Sequence, residues 1–510
     1  MNPAHFLRNR APALLVLVAG GVLPLAFAPV GWWFIAWIAP AVLLYCLHEV
    51  SARRAFWLGW LFGLGQFGVG VSWLYESLTL FGGAVAPLAA LITAGFVAVV
   101  ALYPALAAWL ARIIAGEKLR SIAGVWAFAG SWVLVEWLRG WVFSGFPWLD
   151  LGIAQTSGPL RGLLPIVGEY GVSLVVVLLA GLLLGVATWR PRSPRGLRPW
   201  ISLAGVLAVL GLGGGLSSVR WTPPMGAPLS VGVAQANIPQ MQKFDPAFLA
   251  MTLQRYEQLT LRMGAVDLVV WPETAVPDVI TDLPRLTAAL NDRAAQTGQS
   301  FLIGAFTQDA AGRYYNTLVG IPETVGSHRK AHLVPFSEYM PLRPLVMLLS
   351  GLIDVPMSDL TPGREDQPLP VVRGIPVGAS ICYEADFARD IRRSLPEAGI
   401  LVNVSNDSWF GDSFAPHQNL QMAAVRALEF GRPMIRATNT GVSALISAEG
   451  RIEQSLGVDQ QGILVGKVQP YQGSTPFLRL GSTPSLLLAA LLLGLARWRR
   501  VRTGRELPSR

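Results

Sequence analysis

The chain has 510 residues, 52% of them hydrophobic and only 14% charged, with 40 basic and 31 acidic side chains giving a net charge of +9. This balance excludes a disordered chain, which needs low hydrophobicity, and falls well below the roughly 25% charge of an ordinary soluble domain. Two cysteines exclude a disulfide framework and any cysteine-rich metal centre, and five scattered histidines argue against a histidine cluster.

The apolar segments are long and come first. Residues 11–48 contain no Asp, Glu, Lys or Arg, and the Pro29-Val30-Gly31 break divides them into two spans. Further spans are expected at 55–75, 77–111, 121–135, 170–189 and 199–219, with an eighth at 480–496. Each approaches the ~20 residues a helix needs to cross the hydrocarbon. Residues 11–28 read as a span rather than a removed leader, because further spans follow at once and no small-residue cleavage site stands out. Glu136, Arg139 and Glu169 lie in or beside spans. Glu136 and Arg139, one turn apart, are expected to pair, since an intramembrane charge needs a partner or a function.

Loop charge orients these spans. Arg8 and Arg10 precede the first, and Arg53 and Arg54 follow the second. Arg112, Lys118 and Arg120 follow the fourth, and Arg190, Arg192, Arg195 and Arg198 the sixth. Six arginines from Arg497 to Arg510 follow the eighth, making 17 basic residues on one side against Arg139 and Arg161 in the opposite short loops. Positive charge favours the cytoplasmic side. Both termini are therefore expected in the cytoplasm of a bacterium, with the domain at 220–479 on the periplasmic side of the inner membrane. The basic charge borders apolar segments and does not suggest nucleic acid.

Residues 220–479 carry 21 basic and 24 acidic residues and alternate between strand and helix patterns. Strands are expected at 229–236, 267–271, 301–306, 316–321, 377–381 and 400–404, with a strand pair in 434–446. Helices are expected at 246–263, 283–296, 386–395 and 418–430. Apolar strands ended by polar residues, with helices between them, define an α/β domain.

Three reactive side chains follow strand ends: Glu273 in Trp271-Pro272-Glu273, Lys330 in the run before Leu333-Val334-Pro335, and Cys382 in Ile381-Cys382-Tyr383-Glu384. Groups at the carboxyl ends of strands converge on one crevice. A cysteine at a strand-to-helix turn has its sulfur presented there. A thiol needs a base to become a nucleophile, a carboxylate can hold the proton, and an ammonium can stabilise an oxyanion. Each residue alone is weak evidence: a strand-end cysteine is usually a small buried hydrophobe. His328 and His332 stand four apart, but Leu-Val-Pro follows and breaks the helix a zinc pair would need. The joint pattern implies covalent acyl chemistry with no metal and no cofactor.

The order Trp-Pro-Glu, Lys-x-x-Leu-Val-Pro-Phe-x-Glu, Cys-Tyr-Glu resembles the nitrilase superfamily. Asn403-Val-Ser-Asn406-Asp407-Ser-Trp409-Phe410-Gly411, Arg426-Ala-Leu-Glu429-Phe-Gly-Arg432-Pro and Gly145-Phe-Pro-Trp148 are similar to its membrane branch, the apolipoprotein N-acyltransferase family. Ser337 departs from the glycine that often precedes the second glutamate there. The resemblance implies an eight-span α-helical transmembrane bundle with a periplasmic nitrilase-like αββα sandwich: seven helices in 1–219, the catalytic domain at 220–479, and the eighth helix and basic tail at 480–510. It implies a phospholipid acyl donor, namely the sn-1 chain of phosphatidylethanolamine. It implies a diacylated apolipoprotein acceptor, a membrane lipid environment and no nucleic acid. Glu273, Lys330 and Cys382 would be catalytic, Glu338 would orient Lys330, and Tyr383 and Glu384 would shape the pocket. Trp148, Asn237, Trp409 and Phe410 are expected to bind substrate. Met241, Phe244, Leu342, Leu345, Met347 and Leu348 would line loops over the acyl chain. All three catalytic groups lie in one chain, so a monomer is expected. The other readings are a membrane-anchored nitrilase-type amidase using water, a transporter with an external domain, and an assembly platform with a vestigial triad.

Overall fold

A computed structural model describes residues 3–80, 82–188, 199–341 and 359–505. Arg190, Arg192, Arg195, Arg198 and Arg510, and the apolar residues Leu342, Leu345, Met347 and Leu348, lie outside them. The chain divides into two compact units, one of Met1–Tyr75, Pro87–Val219 and Leu480–Arg510, the other of Glu76–Ala86 and Arg220–Arg479.

The first unit is helical. Among the described residues, Ala86–Ala115 and Arg161–Ala187 are long and apolar enough to cross a membrane. A third candidate arises if Ala52–Gly70 and Trp73–Leu80, bent by 52° at their break, form one span. Ala11–Ala26, Ile35–Cys46 and Trp200–Leu216 are shorter apolar helices. Ile122–Arg139 and Thr483–Arg505 occupy the fifth and eighth expected positions, but each ends in charge. The helices touch backbone to backbone: a Cβ on Gly20 would lie 2.0 Å from the Phe62 carbonyl oxygen, the close approach that small residues permit in apolar bundles.

Basic side chains tie one end of this unit together. Arg120 Nη2 donates to the Tyr45 carbonyl at 3.1 Å, Arg112 Nε to the Val50 carbonyl, and Arg500 Nη1 to the Ile113 carbonyl. The segments after residues 46 and 111 and before residue 502 therefore meet.

The expected Glu136–Arg139 pair is replaced. Arg139 bonds the buried Asp150, while Glu136 Oε1 accepts from the Leu151 N–H at 2.9 Å and from Trp132 Nε1 at 3.4 Å. The loop after Arg139 folds back over the helix end. It offers a carboxylate to the guanidinium and a backbone donor to Glu136, so both groups bond to the loop rather than to each other.

The second unit holds twelve strands among its described residues: β1 (Leu229–Gln235), β2 (Leu268–Val279), β3 (Ser300–Gln308), β4 (Tyr314–Ile321), β5 (His328–Arg329), β6 (Val371–Val372), β7 (Ile375–Ile381), β8 (Ile400–Ser405), β9 (Met434–Thr438), β10 (Ser443–Ile446), β11 (Ile452–Leu456) and β12 (Gly462–Val468). They form two six-stranded sheets, ordered β12-β1-β2-β3-β4-β5 and β11-β10-β9-β8-β7-β6. The centre of each is parallel, β1-β2-β3 in one and β7-β8-β9 in the other.

Side-chain alternation sorts the strands into layers. Val231, Val270 and Leu302 pack against Ile381, Val402 and Ile435 between the sheets. Phe301 and Ile303 point the other way, toward Tyr256 and Leu259 of Leu249–Arg262 and Leu290 of Pro284–Thr297. On the far side Leu401, Met434 and Ala444 meet Leu420, Ala424 and Phe430 of Ala415–Phe430. The result is an αββα sandwich whose central strands are buried on both faces.

Candidate active site

Cys382 directly follows β7 and opens a tight 3-10 turn, Cys382–Asp386. Its φ of 52° lies in the left-handed region, which L-residues other than glycine rarely occupy. Such strain needs surrounding structure to hold it. Glu384 provides that hold. Its Oε2 accepts from the Ile381 N–H at 2.8 Å and its Oε1 from the Ala331 N–H at 2.7 Å and the His332 N–H at 3.2 Å. One buried carboxylate thus staples the cysteine turn to the segment after Lys330. Burial would raise its pKa, but His328 beside it, at 3.1 Å, and these backbone donors hold it down at about 2. His332, the other member of the pair, bonds Asp390 at 2.6 Å, so the two histidines go to separate carboxylates. Tyr383 packs edge-on against His332 and Phe387.

Glu273 sits at an irregularity in β2, where the register with β3 shifts between Trp271 and Val276. Thr274, the next residue, has φ 47°. Gly304 of β3 makes room for this bulge: a Cβ there would fall 2.2 Å from the Pro272 carbonyl oxygen and 2.7 Å from Glu273 Cα. Gly304→Ala should displace the Glu273 backbone and destabilise the domain by about 1–3 kcal/mol, the usual cost of overpacking. A melting curve together with the rate at which iodoacetamide alkylates Cys382 checks this; a variant unchanged in both would mean that the bulge absorbs the methyl freely.

Lys330 follows β5, and its main chain is fixed from both sides: its N–H donates to the Asn316 carbonyl at 2.8 Å and its carbonyl accepts from the Gly363 N–H at 2.7 Å. The ammonium is 1% exposed. It donates to Glu338 Oε1 at 2.9 Å and to Glu273 Oε1 at 3.3 Å. Burial alone would lower its pKa. The charges of Glu338, Glu273 and Cys382 reverse that and hold it well above the ordinary lysine value.

The carboxylates are themselves fixed. Asn316 Nδ2 donates to Glu273 Oε1 at 2.8 Å and to Glu338 Oε1 at 3.2 Å. Glu273 Oε2 accepts from the Asn406 N–H at 2.8 Å and Glu338 Oε2 from the Val334 N–H at 2.8 Å. Cys382 is half-buried. Its tight surroundings, then the charge of Glu273, push the thiol pKa up; Lys330 and a bond to Ser405 pull it down. Ser405 is held by Asp407 at 2.6 Å, and Asp407 by the buried Arg436 at 2.9 Å. Glu273, Lys330 and Cys382 therefore lie within electrostatic reach of one another, with Glu338 on Lys330.

Each of the four residues expected to bind substrate has its own surroundings. Trp148 is buried in the helical unit, between Trp73 at 5.3 Å and Phe146 at 6.1 Å. Asn237 Nδ2 donates to the Asp459 carbonyl at 2.8 Å. Trp409 and Phe410 are half-buried in a short turn, Asp407–Phe410, whose Trp409 carbonyl accepts from Ser77 Oγ. Met241 and Phe244 are exposed. Asn316, Arg436 and Lys243 were not anticipated, and Asn406, although it lies inside the quoted Asn403–Gly411 run, was given no role there. Lys243 falls between Met241 and Phe244, and Arg436 four residues after Arg432, but neither they nor Asn316 has a local pattern that marks it.

Cys382 and Lys330 thus stand just past strands and Glu273 at an irregularity within β2, and the domain that holds them has a known class: residues 230–476 match the carbon-nitrogen hydrolase family model. Residues 19–182 match the apolipoprotein N-acyltransferase N-terminal domain. An apolipoprotein N-acyltransferase of Methylococcus capsulatus is 43% identical over 96% of this chain and 96% of its own, and one of Azotobacter vinelandii 42% over 96% and 95%. One of Pseudomonas paraeruginosa is 40% identical over 94% of each chain. The chain belongs to the apolipoprotein N-acyltransferase family.

Proposed function

We propose that this protein is a membrane acyltransferase that moves a fatty acyl chain from phospholipid to the N-terminal amine of a lipoprotein. The observation that carries the reading is the buried Glu273–Lys330–Glu338 network within reach of Cys382, on a chain whose other unit is a bundle of apolar helices.

In the first half-reaction Cys382 Sγ attacks the ester carbonyl of the donor, for which we propose the sn-1 chain of phosphatidylethanolamine. Glu273 takes the thiol proton. Lys330 stabilises the tetrahedral oxyanion in a site largely closed to water. Collapse breaks the ester C–O bond, and the departing lysophospholipid oxygen takes the proton from Glu273, leaving a thioester on Cys382. In the second half-reaction the α-amine of an S-diacylglyceryl-cysteine attacks the thioester carbonyl and gives a proton to Glu273. Collapse forms the amide and returns the thiol with that proton. One carboxylate serves both halves because it ends each with the proton state it began with. Glu338 fixes Lys330, Glu384 fixes the cysteine turn, and Tyr383 borders it; Trp148, Asn237, Trp409 and Phe410 remain candidate substrate contacts.

We assign the chain eight spans, with residues 1–219 and 480–510 in the inner membrane, both termini cytoplasmic, and the catalytic domain at 220–479 periplasmic. The basic segments brought together at one end of the helical unit support that orientation. The enzyme acts as a monomer.

Incubating the purified protein with phosphatidylethanolamine should add the mass of one fatty acyl group at Cys382, and adding a diacylated lipopeptide should remove it and acylate the peptide. Discharge by water alone would favour an amidase. No adduct under any phospholipid would overturn the reading.

A further inference from the structure

A second lysine is buried beside the same machinery. Lys243 ends the short helix Gln240–Lys243 and is 2% exposed. Its Nζ donates to the main-chain carbonyl of Glu273 at 2.9 Å. That uses one of the three donors of an ammonium, and no second acceptor is bonded to it among the described residues. A buried cation with a single neutral partner is costly, so it persists here through the negative charges facing it. Those are the Glu273 carboxylate from β2 and, once it ionises, the Cys382 thiolate from the turn after β7. Burial dominates and lowers its pKa to about 7, with Glu273 and Cys382 opposing.

The carbonyl it holds belongs to the bulge residue next to Thr274, whose φ of 47° is strained for a β-branched side chain. Glu273 is thus gripped twice, by Lys330 at the carboxylate and by Lys243 at the backbone.

We propose that Lys243 is a positioning residue of the acyl-transfer site, pinning the Glu273 main chain at the bulge and supplying a second positive charge that favours ionisation of Cys382. The inference rests on Cys382 being the nucleophile. The two lysines then differ in kind. Lys330 keeps its proton throughout the neutral range, whereas Lys243 exchanges its own near neutrality, so its support of the thiolate fades as the pH rises past 7.

The test is the rate at which iodoacetamide alkylates Cys382 in the full-length detergent-solubilised protein between pH 6 and 9, read by peptide mass so that Cys46 does not interfere. Lys243→Met should slow alkylation about tenfold at pH 7, equivalent to one unit of thiol ionisation, and Lys243→Arg should recover most of it. Lys243→Gln keeps an N–H donor for the Glu273 carbonyl while losing the charge. It covers the case in which the methionine variant does not fold, and should also be slowed, though by less than methionine because the donor to the Glu273 carbonyl is kept. Wild-type alkylation at every pH in either uncharged variant would overturn the proposal, as would an arginine variant no faster than the glutamine one. The readout is the thiol itself, so failure of acyl transfer to a lipopeptide would refute the proposed function while leaving this result standing.

Discussion

Replacing Glu273 by glutamine should slow formation of the acyl adduct on Cys382 by about 10²–10⁴-fold, the usual worth of a positioned general base. Glutamine has the shape of glutamate, so the sheet around it should persist. The change falls on protons. Glu273 now accepts from Asn316 and Lys330 at Oε1 and from the Asn406 N–H at Oε2. All three partners are donors, so the amide of glutamine must turn its NH₂ toward at least one of them. That unmatched contact should cost about 1–3 kcal/mol of stability, visible as a modest fall in the melting midpoint. With the carboxylate gone, the thiol has no acceptor for its proton, and although the charge that helped raise its pKa is lost, burial, the larger cause, still holds it up and leaves little thiolate to react. The experiment is a time course of adduct mass with phosphatidylethanolamine for the wild-type and variant proteins. A glutamine variant within threefold of the wild-type rate would mean that the base lies elsewhere.

The parts of this site that the sequence exposes are those written in short apolar runs. Val-Val-Trp before Pro272 and Gly-Ala-Ser-Ile before Cys382 are buried strands on both faces, and buried strands announce themselves by composition. The reactive residues follow because they stand where those runs stop. What stays hidden is whatever long-range pairing supplies. Asn316 reads as the polar edge of a strand, yet it bridges two glutamates 43 and 22 residues away. Lys243 reads as a loop cation, and only the folding of its short helix onto β2 buries it. β12 was not anticipated because its partner β1 lies some 230 residues earlier, joined at Leu229–Val468. β11 is an edge strand whose residues are mostly exposed, so burial leaves no alternation in it to read. In the helical unit the apolar runs are plain, but their ends are not: Asp150 reaches Arg139 across a loop, where spacing on one helix suggests Glu136.

Lys330→Met should be the most damaging single change in the domain, since it removes a buried cation from between two carboxylates. Both distances, 2.9 Å to Glu338 and 3.3 Å to Glu273, are those of direct ion pairs, and the ammonium is almost wholly buried. Its raised pKa fixes the sign of the pH dependence. The stabilisation is fully present below the ordinary lysine value of about 10.4 and is lost only as the pH climbs through the higher folded value. The wild-type protein therefore keeps this contribution throughout the neutral range. Without the cation, Glu273 and Glu338 face each other through Asn316 alone, and one of them must take up a proton. Leaving a buried charge unpaired costs about 3–5 kcal/mol. The oxyanion also loses its donor, worth about 10²–10³ in rate. Adding Glu338→Gln to Lys330→Met removes one of the stranded carboxylates, so it should restore part of the melting midpoint and none of the acylation rate. That split separates the structural role of the ammonium from its role in the reaction. If the double variant regained activity, Lys330 would be a scaffold for Glu273 and the oxyanion would be held by another group. If the single variant melted like the wild type, the Glu273–Lys330–Glu338 network would not be the folding element its burial implies.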